Sequence, residues 1–227
     1  MQDWELFLLD DASTDGTKSI IEKYSRMDER IKAYYFQDNK GPYVRRNFAI
    51  ERANSDFIVI QDADDIMCPT KLEVLHREIL SDKRLGVVGA FYRSFLDEFK
   101  GLQYTDEHEL PTEHSEIVAK HSSWQHVMSH GSAIIRKELF EAIGLYDENP
   151  FSSDAFWFAK LAEYTKHCTD VKLKNIPDYL TLLRIHANSQ TQLLPAFDPR
   201  SRRMRYHQYC EDKLRKMRQK LNNLPHT

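Results

Sequence analysis

The sequence predicts an α/β domain built on a Rossmann-like, mostly parallel sheet with helices on both faces. Three observations carry this expectation. Short apolar runs alternate with amphipathic stretches from residue 4 to about residue 92. One run, Phe57–Ile60 (FIVI), is apolar without alternation, as befits a strand covered on both faces. Two runs end in acidic residues, Asp10-Asp11 and Asp62-Ala63-Asp64-Asp65, and open α/β sheets hold their ligands at the carboxyl ends of strands.

The elements follow in order. Trp4–Leu9 is the first strand; Thr14 or Asp15 caps a helix with Ile20, Ile21, Tyr24 and Met27 on one face. Ile31–Phe36 is the second strand, ended by the turn Asp38-Asn39-Lys40-Gly41. Pro42 opens the helix PYVRRNFAIERA from its favoured first turn. Phe57–Ile60 is the third strand, and Pro69 starts a helix through Leu72, Leu75, Ile79 and Leu80. Leu85–Phe91 is the fourth strand. Such a βαβαβαβ rhythm winds right-handed into a parallel sheet. It breaks near residue 92: residues 92–130 read as hairpin or loop, with one helix near Ser115–Met128. Ser132–Arg136 and Lys137–Ile143 make a strand and helix stopped by Gly144. Ser153–Lys166 is a helix, and Val171–Ile176 and Tyr179–Ile185 are two late strands.

A chain of 227 residues, 41% hydrophobic and 30% charged, suits one globular domain with a sizeable core. Its net charge of −3 hides an asymmetry, because residues 200–220 hold nine Lys/Arg against two acids. This tail, residues 196–227, reads as a basic helix with Tyr206, Tyr209, Lys213 and Met217 on its inward stripe. It either docks on the acidic body or touches an anionic membrane peripherally. The acidic body argues against nucleic acid as a partner. Cys68, Cys168 and Cys210 are too widely spaced for a CxxC pair and fit a reducing compartment. No apolar run approaches the ~18 residues of a membrane span, and the first residues lack a basic leader pattern. The expected location is cytoplasmic, with or without contact at the membrane surface.

An Asp-x-Asp turn at a strand end suits a hard divalent cation, which takes one or two carboxylates and leaves positions for substrate phosphates. The bland reading is that Asp ends strands and caps helices; three Asp in four positions exceed that need. Asp11, Ser13, Asp15, Gly16 and Glu22 also match the spacing of a calcium-binding EF-hand loop. That reading fails on its context, since a strand rather than a helix precedes the loop and Lys18 stands where an apolar residue belongs.

WELFLLDDASTDGT, NKGPYVRRN, FIVIQDADDIMCP, GLYDE and SSDAFWFAKLAE, in that order, resemble the nucleotide-sugar glycosyltransferases of family 2 with the GT-A fold, including the spore-coat polysaccharide type. The resemblance spans about residues 3–190. It implies an inverting, metal-dependent enzyme of cell-envelope polysaccharide synthesis that moves sugar from a nucleotide-diphosphate donor, a UDP-sugar, to a glycan or lipid-linked acceptor. It implies Mg²⁺ or Mn²⁺ as cofactor. It implies a catalytic domain over residues 1–195, with a nucleotide-binding half to about 92 and an acceptor-side half from 93. Carried over by residue, Asp11 resembles the carboxylate that bonds the nucleotide base, and Arg46 the family's basic residue near the nucleotide. Asp62 and Asp64 match the Asp-x-Asp acids. Asp64 is expected as the direct metal ligand and Asp62 at ribose or a metal-bound water. His186, in a late R-x-H-x-x-S segment, is expected at the metal or diphosphate, and Asp154 as the general base. Family members carry a further strand and helix before the equivalent of Asp3, so the match starts at their second strand.

Several of these residues have a plainer alternative. Ser153-Asp154 before an aromatic helix is also an N-cap signature, whereas a base must take the proton of a sugar hydroxyl from the face opposite the leaving diphosphate. His186 has an even alternative as a structural histidine. His130 and Trp124 fall in the half where acceptors bind; aromatics stack on sugar faces, but Trp124 and Trp157 at helical spacing are more often core. Two other functions compete. FIVIQDADD superficially resembles the strand-then-DxD nucleophile of haloacid-dehalogenase phosphohydrolases, although two strands and two helices precede it here. A nucleotide-sugar-binding module without activity is the non-enzyme alternative.

Overall fold

A computed structural model describes residues 3–98, 101–122, 125–148, 153–186 and 199–222. In chain order the strands are β1 (Leu6–Asp10), β2 (Ile31–Tyr35), β3 (Phe57–Val59), β4 (Ile66–Met67), β5 (Leu85–Glu98), β6 (Gly101–His108), β7 (Ala133–Arg136) and β8 (Lys172–Ile185). The helices are α1 (Thr17–Met27), α2 (Pro42–Arg52), α3 (Lys71–Ser81), α4 (His114–Ser122), α5 (Glu138–Ile143), α6 (Ser153–Thr165) and α7 (Pro199–Asn222), and one 3₁₀ turn (His130–Ser132) precedes β7.

The α/β class holds, but the expected mostly parallel pairing is corrected. β1 and β2 pair in parallel as a separate two-stranded sheet, and the larger sheet runs β3-β7-β5-β8-β4 with β6 paired to β5. Of its pairings only β5–β8 is parallel; β3–β7, β7–β5, β8–β4 and β5–β6 are antiparallel. For β5 and β6 the reason is local, since a short connection gives antiparallel neighbours; β7 and β4 instead meet partners distant in the chain.

Alternation along the central strands divides the core into two layers. Val87 of β5 and Ile135 of β7 face a cluster with Ile117 of α4, Phe140 of α5, and Trp157 and Leu161 of α6. Their neighbours Val88 and Ile134 face the opposite cluster with Leu75 and Ile79 of α3. Trp157 is fully buried and donates Nε1–H to the Gly144 carbonyl at 2.8 Å, so it belongs to the core. Trp124 lies outside the described residues.

Three local expectations change. The two late strands are one, β8, whose register against β5 slips between Ile176 and Tyr179; Pro177 has no N–H to give the ladder there. On α1 only Ile21 is buried, while Ile20, Tyr24 and Met27 are exposed. On α7 the inward residues are Cys210 and Leu214, with Met217 against the main core, whereas Tyr209 and Lys213 are exposed. The inward stripe is thus rotated by one residue at its N-terminal end, because Cys210 and Leu214 are the apolar pair that meets Phe156 and Ala159 of α6. The side chain of Tyr206 lies outside what the structure describes.

Candidate active site

The chain segments that leave β1, β3 and β8 and enter β7 and α6 supply the titratable groups, and α2 ties them together. Successive residues on a helix point about 100° apart, so Arg45, Arg46 and Asn47 fan out to three different parts of the protein. Arg45 pairs with Asp11, and Arg46 with Asp62. The Asn47 amide donates to the Tyr146 carbonyl at 2.9 Å and accepts from the Tyr146 N–H at 3.0 Å, fixing the GLYDE segment.

Asp11 sits just past β1, followed by Ala12 at φ 63°, a left-handed conformation that a non-glycine residue rarely adopts. Its carboxylate accepts the N–H groups of Lys40 (3.0 Å) and Gly41 (2.7 Å) and the Arg45 guanidinium. Gly41 itself has φ 85°, which lets the turn present its N–H before Pro42 starts α2. Burial pushes the Asp11 carboxyl up, but these donors hold it below its ordinary value.

Asp62 lies beyond β3. The β3–β7 register, Val59 against Ile134, continues so as to bring Asp62 beside the 3₁₀ turn that starts with His130. Arg46 donates to Asp62 Oδ1, and His130 Nε2 faces Asp62 Oδ2 at 3.7 Å. The other imidazole nitrogen of His130, Nδ1, lies 2.8 Å from Asp154 Oδ2, and Tyr43 donates its hydroxyl to Asp154 Oδ1 at 2.9 Å. Burial raises both carboxyls, yet His130 and Arg46 hold Asp62, and His130 and Tyr43 hold Asp154, well below the usual range. An ionised carboxylate only accepts, so His130 donates to it. Burial works against charging His130, and the two carboxylates overcome it and raise its pKa. Asp154 spends its oxygens on side chains from α2 and the 3₁₀ turn, which is more than an N-cap does.

The rest of the Asp-x-Asp turn meets the end of β8. Asp64 Oδ2 lies 3.0 Å from His186 Nε2, and the Asp64 carbonyl accepts Arg184 Nε–H at 2.8 Å. Asp65 Oδ1 accepts the Arg184 N–H at 2.9 Å; burial and the neighbouring Asp62 and Asp64 charges push its carboxyl up to about 6. Behind the turn, the fully buried Lys71 donates to Gln61 Oε1 and the Gly131 carbonyl, and burial pushes it down to about 8. An open cavity of about 400 Å³ is lined by Ala63, Asp64, Arg184, Ile185 and His186. Asp64 and His186 converge at its mouth as an oxygen and a nitrogen donor. Two such side chains beside an open cavity suit Mg²⁺ or Mn²⁺ carrying phosphate oxygens. Among the described residues no group of three or more His, Cys, Asp or Glu is placed to hold a metal ion by itself.

The structure therefore brings Arg46, Asp62 and Asp154 into one network and Asp64 and His186 into a second, adjoining one. Asp11 stands apart with Arg45. Tyr43, Arg45, Lys71 and Arg184 were not singled out from the sequence, and His130 was placed only on the acceptor side. The His-Gly-Ser triplet before an apolar strand was the available signal for His130, but it becomes readable only once β7 is known to run antiparallel to β3.

Comparison with known proteins bears on the fold and the family. TuaG of Bacillus subtilis, assigned to teichuronic acid biosynthesis as a glycosyltransferase, is 44% identical over 70 residues, which are 31% of this chain and 28% of TuaG. Two solved structures share the fold: Staphylococcus aureus TarS 1–349 in complex with UDP-GlcNAc (TM-score 0.61, 18% identity, 82% of this chain and 50% of that one), and the Pyrobaculum calidifontis mannosyltransferase PcManGT in complex with GDP-Man and Mn²⁺ (TM-score 0.56, 17% identity, 82% and 49%). The chain thus spans about half the length of these solved relatives. Residues 1–144, well over half of the sequence, match the family model described as Glycosyl transferase family 2, and the chain, with its GT-A fold, belongs to that family.

Proposed function

We propose that the protein transfers a sugar from a nucleotide-diphosphate donor, a UDP-sugar, to a glycan or lipid-linked acceptor in cell-envelope polysaccharide synthesis, with inversion at the anomeric carbon. One observation carries the reading. The contacting pair Asp64 and His186, an arrangement that suits a cation, adjoins a partly buried network in which His130 links Asp62 to Asp154. Diphosphate departure and acceptor deprotonation need two such centres, at opposite faces of one sugar ring.

On this reading Asp64 and His186 hold Mg²⁺ or Mn²⁺, which would neutralise the charge developing on the leaving diphosphate. Asp62 meets the ribose once Arg46 turns from it to a phosphate, and Asp11 meets the base in exchange for one of its present donors. His130 and Tyr43 favour the ionised form of Asp154, and an acceptor hydroxyl that replaces the Tyr43 hydroxyl at Oδ1 gives Asp154 its proton as its oxygen attacks the anomeric carbon. The relatives' names, teichuronic acid synthesis among them, support an envelope polysaccharide. Among the described residues no helix is long and apolar enough to cross a membrane; the basic helix α7 is the proposed peripheral membrane contact of a cytoplasmic enzyme.

Incubation with UDP-sugars and Mn²⁺ tests the reaction. Release of UDP is expected. Release of inorganic phosphate would favour the phosphohydrolase alternative, and release of neither the binding module. D64N is expected to keep its melting temperature but lose the Mn²⁺-dependent stabilisation by UDP; turnover unchanged in EDTA would overturn the metal assignment.

A further inference from the structure

Away from the active site, α7 and the α5–α6 corner enclose an open groove of about 410 Å³. Its floor is apolar, from Ile143, Leu145, Phe156 and Met217. Its rim carries Lys160, Lys213, Lys216 and Lys220 against one carboxylate, Asp147. The helical repeat explains the rim. Positions 213, 216, 217 and 220 fall on one stripe of α7, so three lysines and a methionine face the same side. Among the described residues no carboxylate pairs with Lys213, Lys216 or Lys220, although Arg215 and Arg218 on the same helix pair with Asp212 and Glu163. Asp147 accepts the Tyr209 hydroxyl at 2.6 Å, which closes one end of the groove. Lys160 reaches in from α6 and donates to the carbonyls of Ile143 and Leu145, both at 3.1 Å. Burial and then the like charge of Lys213, partly offset by Asp147, push it down to about 8, a cost that an arriving anion relieves.

We propose that this groove seats the phosphate headgroup of an anionic membrane lipid, with the first methylenes of the lipid on the apolar floor. Lysines around an apolar floor match a phosphate joined to hydrocarbon better than a free polyanion, which has no use for Phe156 or Met217. The groove and the candidate site lie on opposite faces of α6. Phe156 and Lys160 line the groove, while Asp154, about 200° around α6 from Phe156, faces the active site. The inference rests on the peripheral membrane contact proposed for α7 but not on the glycosyl-transfer reading.

The test measures partitioning of the full chain onto vesicles of phosphatidylcholine with about one third phosphatidylglycerol, against phosphatidylcholine alone. The K213Q/K216Q/K220Q variant is compared with a charge-matched control outside the groove, R26Q/K83Q/R215Q. A second groove variant, K160M/K216Q, covers the case in which the first fails to keep the wild-type melting temperature. Each lysine near an anionic surface contributes enough that the triple groove variant should partition about 100-fold more weakly, with the control near wild type. Equal losses in both triple variants would leave general surface charge as the cause; the membrane contact would stand and the groove would fall. No wild-type binding to the anionic vesicles overturns both. A groove variant that keeps vesicle binding but loses heparin binding overturns the lipid in favour of an anionic polymer.

Discussion

At the scale of single residues, the candidate base is held by charge. Asp154 is ionised because His130 and Tyr43 both favour the carboxylate, despite a burial that alone would protonate it. Such a base is weak until one donor leaves, which makes the acceptor hydroxyl that displaces Tyr43 part of its activation. D154N should keep UDP and Mn²⁺ binding, measured by calorimetry, and lose ~10²–10⁴-fold in kcat, as removal of a general base does. Y43F removes one of the donors that favour the carboxylate, so the acid limb of the pH–kcat profile should move to higher pH. A loss in S153A equal to that in D154N would indicate that the start of α6, rather than the carboxylate, is what matters.

At the scale of elements, α4 leans on α6 through a histidine. His121 is 5% exposed, its ring stacks 5.7 Å from that of Phe158, and its Nε2 has no partner among the described residues. Burial, and then the nearby His126, push it down to about 4. The unfolded chain protonates it near 6.5, so between about pH 6.5 and 4 the unfolded state binds more protons and stability falls with pH. H121F keeps the stack and removes this titration. Urea unfolding at pH 7.5 should find the two proteins alike within about 1 kcal/mol, and at pH 4.5 the variant ahead by about 2 kcal/mol. A His121 resonance titrating near 6.5 in the folded protein would end this account. The elements were legible in the sequence wherever periodicity was local. α2, β3 and α6 fall within a residue or so of their expected bounds, because Pro42, the FIVI run and Ser153 mark them directly. Pairing direction and exposure were not legible, since both depend on partners. Ile20, Tyr24 and Met27 form an apolar stripe that would bury against a neighbour, yet they are exposed. Asp62, Asp64 and Asp154 stand out in the sequence by motif and position, whereas His130 and Lys71 join the candidate site only through contacts with residues dozens of positions away.

At the scale of the whole molecule, the protein is a packed α/β body with a helix leaning on it. The body shares two large apolar layers around β5, β7 and β8, but α7 is held by a small cluster, Phe156, Ala159, Cys210 and Leu214, by Met217 against the core, and by two polar links, Tyr209 to Asp147 and Arg218 to Glu163. Elements with few buried apolar contacts open at lower free energy than the core does. A Leu→Ala change in a packed site costs about 2–5 kcal/mol, which is large against so small a cluster. L214A should therefore undock α7 while leaving the body folded. Residues 200–220 carry nine Lys/Arg, so brief trypsin digestion reads that event directly. Cleavage in the tail should accelerate at least tenfold in L214A, with the body surviving as a protected fragment that still binds UDP. If tail cleavage and loss of the body instead rise together, α7 unfolds only with the whole domain, and the helix is part of its core.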